Sequence, residues 1–388
     1  MSVRFEIKGW CPGALRPMES GDGLVVRVRP RAGSLSPEAA RAIARGARRH
    51  GNGLIDLTSR ANLQIRGVSH AHHGPLVADL AACGLIDAHV ASEERRNILV
   101  TPFGAGAARA VTQTLAAELE RRLADGPDLP GKFGFAVDTG LHRVLADAPA
   151  DIRIERDGTD ALLVRADGAA TGRPATPANA IDLAIDLAHW FVASGGVVNG
   201  RGRMARHLAG GRRLPDDLHG DVRPAPSIPV AAGVCAEGVL VGSAFGQLEA
   251  EALALLADCG SVLRVTPWRM LLLVGAREAP SIPGLILRGD DPALRVSACT
   301  GAPACPQALA PTRDLARALA PHVPPGRHLH VSGCAKGCAH AGPASVTLCA
   351  TSMGLDLIRD GSVRGVPVRT GLSQTLLCAN PAVLFEPA

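Results

Sequence analysis

Two pairs of closely spaced cysteines carry the most specific chemical signal in this chain. Five residues separate Cys299 from Cys305, and three separate Cys334 from Cys338. Four thiolates can hold one zinc ion or a cubane iron–sulfur cluster. Structural zinc sites favour gaps of about two to four residues, so the longer gap disfavours zinc, and the neighbouring glycines let backbone wrap around a larger group. We predict that these cysteines bind one [4Fe–4S] cluster; zinc and unliganded thiols are the alternatives.

A second group of residues suited to chemistry is a set of arginines within residues 200–229, which are rich in Gly, Arg and Pro. A guanidinium group binds a carboxylate through two parallel hydrogen bonds. The arginines could therefore hold an acidic ligand, or they could form a flexible basic loop. The composition predicts that this segment links two domains. The arginines are Arg201, Arg203, Arg206, Arg212 and Arg213.

The composition places these residues in a globular protein of several domains. The chain has 388 residues, of which 47% are hydrophobic and 20% charged, enough to build more than one core. Its net charge of +5 is small and it has no tyrosine, so we expect no nucleic-acid partner. No apolar run reaches the roughly 20 residues of a membrane helix, and residues 1–10 contain no apolar signal segment. We therefore expect a cytoplasmic protein without a membrane partner.

Alternating strands and helices must position the chemical residues. Period-two alternation indicates strands, and apolar residues spaced by three or four indicate helices. Ser36 followed by Pro37 is a helix start. We predict strands at 24–30 and 54–66, helices beginning at 37 and spanning 107–124 and 180–193, and a hairpin over 151–164.

One segment of the chain recurs. Residues 58–67 align without gaps on residues 266–275, an offset of 208, and a helix signal precedes each copy. A duplicated strand–helix–strand unit suggests two halves packed with pseudo-twofold symmetry and a site between them. The mixture and order of the elements predict an α+β fold.

The cysteine spacing resembles that of the sulfite and nitrite reductase family. The resemblance implies a [4Fe–4S] cluster on the four cysteines, with Cys338 bridging it to the iron of a sirohaem. Thr58-Ser59-Arg60, Arg96-Asn97 and the 129–133 segment Leu-Pro-Gly-Lys-Phe are similar to the family segments that carry substrate-facing cations. The resemblance therefore implies that Arg60, Arg96 and Lys132 converge on the reactive iron as catalytic residues.

The same resemblance implies two pseudo-symmetric halves, each built from a ferredoxin-like unit and a larger α+β domain. We expect the first ferredoxin-like half at residues 1–80 and an α+β domain facing the substrate and haem at 81–215. The second ferredoxin-like half would follow at 216–285, and the cluster-binding α+β domain at 286–388.

One departure from the family affects the reaction. The family commonly has a second lysine two positions after Lys132, where this chain has Gly134. The lost cation argues against reduction of a small oxyanion, and the missing side chain predicts room for a larger substrate.

The N-terminal motifs Cys11-Pro12-Gly13-Ala14 and 51–58 resemble a branch of monooxygenases in aerobic cobalamin biosynthesis. That resemblance implies O₂-dependent hydroxylation of the tetrapyrrole precorrin-3A at the meso carbon between rings A and D, with closure of a γ-lactone. A sirohaem-dependent sulfite or nitrite reductase is the first alternative. A non-catalytic iron–sulfur electron carrier is the second, and the substrate-facing cations disfavour it.

Oxygen activation implies a second iron, because a cubane cluster has no open coordination site. It could be sirohaem or a mononuclear non-haem iron. The latter usually needs two histidines and a carboxylate, for which His70, His72 and His73, or His328 and His330, are candidates; each set is more typical of a polar loop or strand. The electrons would come from an external donor, an electron-transfer protein or reductase supplied by NAD(P)H.

Overall fold

The computed structural model describes residues 11–386 of the chain. Residues 1–10, on which the expected lack of a signal segment depends, lie outside the described residues, as do residues 387–388. Nine helices run through the described part of the chain. They are α1 Pro37–His50, α2 His70–Ala81, α3 Val90–Arg95, α4 Gly106–Ala124, α5 Ala180–Ala193, α6 Met204–Ala209, α7 Ala250–Asp258, α8 Arg313–Leu319 and α9 Gln374–Ala379.

The first helix forms for the reasons that its sequence predicts. The Ser36 side chain accepts a hydrogen bond from the Ala39 backbone N–H at 3.2 Å, and Pro37 occupies the first turn. Ile43 and Ala47 on its apolar face are fully buried. The predicted helices at 107–124 and 180–193 correspond to α4 and α5 within one residue at either end.

Two sheets are built from the duplicated segments. The first has the strand order β1-β2-β5-β4-β13, with bounds Met18–Ser20, Gly23–Val28, Leu63–Val68, Leu54–Leu57 and Gln247–Glu249. The second has the order β11-β12-β15-β14-β3, with bounds Gly233–Cys235, Gly238–Ser243, Met270–Val274, Leu263–Val265 and Ser34–Leu35. A short strand, β16 (Leu285–Ile286), also pairs with β12.

The two halves exchange a strand with each other. Strand β13, from the second half, pairs with β4 of the first sheet, and β3, from the first half, pairs with β14 of the second. Left-handed backbone recurs at equivalent positions: φ is +51° at Ala61 and +60° at Arg269, and +69° at Gly67 and +77° at Gly275. These pairs keep the offset of 208, so the predicted repeat is confirmed as a pseudo-twofold structural repeat.

Each half is followed by a sheet of one common topology. One takes the order β6-β7-β8-β9-β10, with bounds Ile98–Val100, Phe135–Asp138, Ile152–Arg156, Leu162–Ala166 and Arg173–Ala175. The other takes the order β17-β18-β19-β20-β21, with bounds Val296–Ala298, Leu329–Ser332, Ala344–Thr351, Gly354–Gly361 and Arg369–Leu372. In both, the first three strands are parallel and the last two pairings antiparallel. The predicted α+β fold with two pseudo-symmetric halves is confirmed.

One hydrophobic core serves both ferredoxin-like halves. It contains Val26 and Ile43 from the first half and Val241 and Leu253 from the second. The four domain ranges stay a prediction, because the exchanged strands and this common core cross the boundaries drawn from the sequence. Among residues 11–386, no helix combines the length and apolarity that a membrane crossing requires.

The segment 200–229 is more than the linker predicted from its composition. It contains α6. Isolated β-bridges also join Val222 to Gly172, directly before β10, and Pro224 to Asp157, directly after β8. The segment is therefore packed against the domain of β8 and β10 rather than extended between domains.

Candidate functional site

All four predicted cluster cysteines line one cavity of about 810 Å³. Cys299 directly follows β17, and Cys334 lies two residues after β18. These strands are parallel neighbours, so their carboxyl ends meet at the same edge of the sheet. Cys305 and Cys338 follow in the two loops that begin there. We call these four residues the cysteine wall.

The loops of the cysteine wall approach each other closely. The Gly333 N–H donates to the Cys299 sulfur at 3.2 Å, and the Thr312 hydroxyl donates to the Cys299 carbonyl at 2.6 Å. Gly301 has a φ of +72°, and a Cβ there would come within 2.5 Å of the Thr312 Oγ1. Glycine is therefore required where the first loop turns around the thiols.

The thiols lie within each other's electrostatic field. Burial raises the pKa of Cys334 and Cys338, and the neighbouring thiols of Cys299 and Cys305 raise it further. Among residues 11–386, no three His, Cys, Asp or Glu side chains lie close enough to hold a single metal ion. The four thiols share one cavity, and their assignment to a cluster stays a prediction.

The same cavity is strongly cationic. Among the described residues that line it, Glu19 contributes the single carboxylate, against six lysine and arginine side chains. The six are Lys132, Arg201, Arg203, Arg206, Arg212 and Lys336. Four of the five arginines singled out in the sequence therefore face the cavity, and Arg213 does not line it. An anion with several carboxylates suits such a lining.

Residues 195–212, which we call the arginine loop, have a defined backbone. Val198 and Arg201 exchange two backbone hydrogen bonds of 2.8 and 3.0 Å across Asn199 and Gly200. Both central residues have positive φ, +51° and +69°, as in a type I′ turn. Gly202 packs so closely that a Cβ there would lie 2.1 Å from the Gly196 carbonyl oxygen. The loop therefore presents its arginines from a fixed backbone.

Lys132 lines this cavity, whereas Arg60 contacts Lys132 but is not among the lining residues. The Arg60 Nη2 donates to the Lys132 carbonyl oxygen at 2.8 Å, and burial lowers the pKa of Arg60. A Cβ added to Gly134 would lie 3.3 Å from the Arg60 Nη1 and 3.1 Å from the Asn97 carbonyl oxygen. The prediction that Gly134 leaves room for a larger substrate is therefore wrong, because the Arg60 guanidinium fills that space.

Arg96 is not brought to the cavity. Its guanidinium donates to both Asp87 carboxylate oxygens, at 3.2 and 2.7 Å, and to the Arg29 carbonyl oxygen at 2.8 Å. It borders a separate void of only about 10 Å³. Of the three predicted cationic residues, Arg60 and Lys132 are thus in contact, and Arg96 forms a buried ion pair with Asp87.

Four of the five candidate histidines for a second iron have other contacts. The fifth, His330, has no hydrogen-bond partner at either ring nitrogen among the described residues. His70 pairs with Glu19 at 2.9 Å, His73 contacts the Ala14 carbonyl oxygen at 2.8 Å, and His328 contacts the Ser297 hydroxyl at 3.1 Å. His72 packs edge-on against the ring of His50. His330 is fully buried, and burial and His340 lower its pKa to about 4.

Sequence reasoning missed His207, which lines the cavity. Its Nε2 lies 2.7 Å from the Ser194 hydroxyl, and burial and the Arg212 charge lower its pKa. Its position directly after Arg206, within a segment that carries four cavity arginines, was the signal available in the sequence.

Comparison with known proteins places this geometry in a family. Residues 16–83 match the nitrite/sulfite reductase ferredoxin-like half domain. A precorrin-3B synthase from Sinorhizobium sp. is 31% identical over 396 residues, covering 93% of this chain and 84% of that protein. The chain belongs to the precorrin-3B synthase family.

A solved structure shows that the fold of this precorrin-3B synthase family member is shared more widely. The NirA protein of Mycobacterium tuberculosis superposes with a TM-score of 0.63 at 17% identity, covering 92% of this chain and 79% of NirA. At this identity the likeness establishes the fold, which is the one that the cysteine spacing implied.

Proposed function

We propose that this chain is a precorrin-3B synthase, an oxidoreductase that hydroxylates precorrin-3A at the meso carbon between rings A and D with γ-lactone closure. The observation that carries the proposal is a single cavity that combines four cysteines with six cationic side chains, in a chain of this family. Precorrin-3A has many carboxylates, and the cavity has the charge to bind them. Its volume of about 810 Å³ lies in the range of small-molecule sites, ~300–1,000 Å³.

The cysteine wall fits a [4Fe–4S] cluster, for which Cys299, Cys305, Cys334 and Cys338 would be the ligands. When bound, the cluster supplies single electrons from an external donor, for which we propose an electron-transfer protein or reductase fed by NAD(P)H. The Gly333 N–H directed at the Cys299 sulfur would tune the electron affinity of such a group.

Each form of the second iron meets one obstacle in this structure. Sirohaem is itself a large macrocycle and would occupy the space that we assign to the substrate. A mononuclear iron finds no three-residue ligand group between residues 11 and 386. Analysis of iron and tetrapyrrole content in the purified protein distinguishes the two forms.

The protein's own residues have a limited set of tasks. Lys132 and the arginine loop bind and orient the substrate carboxylates, and Arg60 holds Lys132 through its carbonyl group. Lactone closure joins an acetate to a carbon of the same molecule, and such tethering supplies a large effective molarity. The remaining task is to exclude water while electrons reach oxygen. We place this chemistry in the cytoplasm.

Isotopic labelling tests the reaction. One atom of O₂ enters the substrate, and the other leaves as water with two electrons and two protons from the donor and solvent. With ¹⁸O₂, one labelled atom should appear in the new hydroxyl group, whose oxygen should not come from labelled water; the lactone oxygen comes from the unlabelled acetate. Product formation without oxygen, or rapid sulfite or nitrite reduction with no change in precorrin-3A, would instead support the reductase alternative.

A further inference from the structure

Asp151 is a buried carboxylate that joins two parts of the cavity lining. It lies directly before β8 and has no solvent exposure. One carboxylate oxygen accepts from the Arg203 Nε at 2.9 Å and from the Met204 N–H at 2.8 Å. The other accepts from the Gly134 N–H at 3.0 Å. Both oxygens of this carboxylate are therefore occupied.

The three donors belong to two separate segments. Gly134 ends the short loop that carries Lys132, and the Asp151 N–H also donates to the Gly134 carbonyl oxygen. Arg203 and Met204 lie where the arginine loop enters α6, and the Arg203 Nη2 donates to the Ala150 carbonyl oxygen at 3.4 Å. Lys132 and Arg203 both line the cavity. The distance between them is thus set through Asp151.

Asp151 also provides the charge that lets two arginines lie close together. Arg60 lies in the field of Arg203, which disfavours its charged form, and in the field of Asp151, which favours it. Arg60 in turn holds the Lys132 carbonyl group. Without the carboxylate, Arg60 and Arg203 would repel each other and the Arg203 guanidinium would lose its anchor.

We propose that Asp151 is a positioning residue for substrate binding, which fixes Arg203 and Lys132 at the spacing needed for the carboxylates of the tetrapyrrole. The inference rests on the proposed function. Asp151 contacts no ligand itself; it acts through the two loops that it joins.

A purely electrostatic role for Asp151 predicts the opposite effect on binding. Removing a negative charge beside the cavity makes the cavity more positive, so an anionic tetrapyrrole would bind more tightly. Loss of positioning makes it bind more weakly. The sign of the change in Kd therefore separates the two roles.

The test is anaerobic absorbance titration of the cluster-loaded protein with precorrin-3A. We expect Asp151→Asn to raise Kd roughly 10-fold or more, since a charged hydrogen-bonded partner of the site is lost. Arg203→Gln should raise Kd similarly. The Kd of the double variant should be little higher than that of either single variant, because both substitutions break the same Arg203–Asp151 hydrogen bond. An unchanged or lower Kd in Asp151→Asn would overturn the proposal.

Asp138→Asn is the matched control. Asp138 is also a buried carboxylate at the end of a strand in the same sheet, and it accepts from the Val144 and Leu145 N–H groups at 2.8 and 2.6 Å. Asp138 does not line the cavity. The Kd of the Asp138→Asn variant for precorrin-3A should therefore equal that of the wild type. If the wild type itself binds no precorrin-3A, the proposed function fails. If Asp151→Asn does not fold, Arg203→Lys decides, because it keeps a positive charge in the cavity but loses the Nε hydrogen bond to Asp151; a wild-type Kd in Arg203→Lys would then overturn the proposal.

Discussion

The two halves of this molecule share a backbone and differ in chemistry. The loop at 58–62 and its counterpart at 266–269 both place a residue with positive φ between paired strands. In the first half this loop carries Arg60, which contacts Lys132. In the second half it carries Trp268, whose ring stacks on Phe103 with centroids 6.3 Å apart. At the position where the first copy has the cation Arg60, the second copy thus has an aromatic ring. The second loop also carries Arg269, whose Nη2 donates at 3.1 Å to the carbonyl oxygen of Ala339, the residue directly after Cys338.

The difference continues in the domains that follow each half. Both have a sheet of the same topology, yet the first adds Lys132 and the arginine loop, whereas the second adds the cysteine wall. A duplicated fold has therefore placed a cationic lining and a cysteine lining on one cavity. The chemical character of the two linings differs even though the architecture is symmetric.

Breaking the cysteine wall should have the largest effect. Cys334→Ala removes one of four proposed ligands, so we expect loss of the cluster, its visible absorbance and all turnover. Iron and acid-labile sulfide per chain measure this directly. Cys259→Ala, in the second ferredoxin-like half, is the matched control and should keep a full cluster. A full cluster in Cys334→Ala would refute the ligand assignment.

Arg96 separates a structural cation from the cavity cations. Its ion pair with Asp87 is only 6% exposed on either side. Removing one partner of such a buried pair is strongly destabilising, even though the half-exposed Arg31 still contacts Asp87 at 3.3 Å. We expect Arg96→Ala to lower the free energy of unfolding by about 3 kcal/mol, as measured by urea denaturation. If Arg96→Ala were as stable as the wild type but unable to bind substrate, Arg96 would have a role in the substrate site and not a structural one.

Arg60 and Trp268 test the comparison of the two loops. Arg60→Ala should weaken precorrin-3A turnover by roughly 10- to 100-fold, the value of a charge-assisted hydrogen bond, with little change in stability. Trp268→Ala should lower the melting temperature and leave kcat/KM of the remaining folded protein close to that of the wild type. The reverse pattern in steady-state assays and thermal melts would break the comparison.

The smallest effect on function is expected from a pH dependence of stability, because the residue responsible, Asp138, does not line the cavity. Burial raises the pKa of Asp138 from 3.8 to about 6. Between these values the folded state holds a proton that the unfolded state has lost, so stability falls as pH rises from about 4 to 6. At about 1.4 kcal/mol per unit, the wild type should lose somewhat under 3 kcal/mol relative to Asp138→Asn. The free energy of unfolding of both proteins is measured by urea titration at several pH values. The same pH dependence in the wild type and in Asp138→Asn would contradict this prediction.

How much the sequence could predict depended on whether the signal was local. The cysteine spacing is local, and the four residues do line one cavity. The repeat was visible in the sequence as an offset of 208 between aligned residues, and residues with positive φ recur at the same offset in the structure. Lys132 and Arg60 were named from short segments, and they lie side by side.

The misses arose where no pattern in the sequence identifies the contact that a residue makes, whether its partner is near in the chain, as Asp87 is nine residues from Arg96, or far away. Nothing near Arg96 in a functional motif indicated that Asp87 would hold its guanidinium. The guanidinium of Arg60 occupies the space next to Gly134. Only the tertiary packing shows this, because the two residues are far apart in the chain. The segment at 200–229 has the composition of a linker, but Asp151, about fifty residues earlier, anchors it beside the cavity.

We propose above all that the cysteine wall and the cationic residues serve one macrocycle in one cavity. Electron paramagnetic resonance of the reduced, cluster-loaded protein tests this when spectra are recorded with and without precorrin-3A under anaerobic conditions. A macrocycle that lies against the cysteine wall should shift the g values of the reduced cluster, with the shift saturating at one precorrin-3A per chain. Identical spectra at saturating precorrin-3A would contradict the claim.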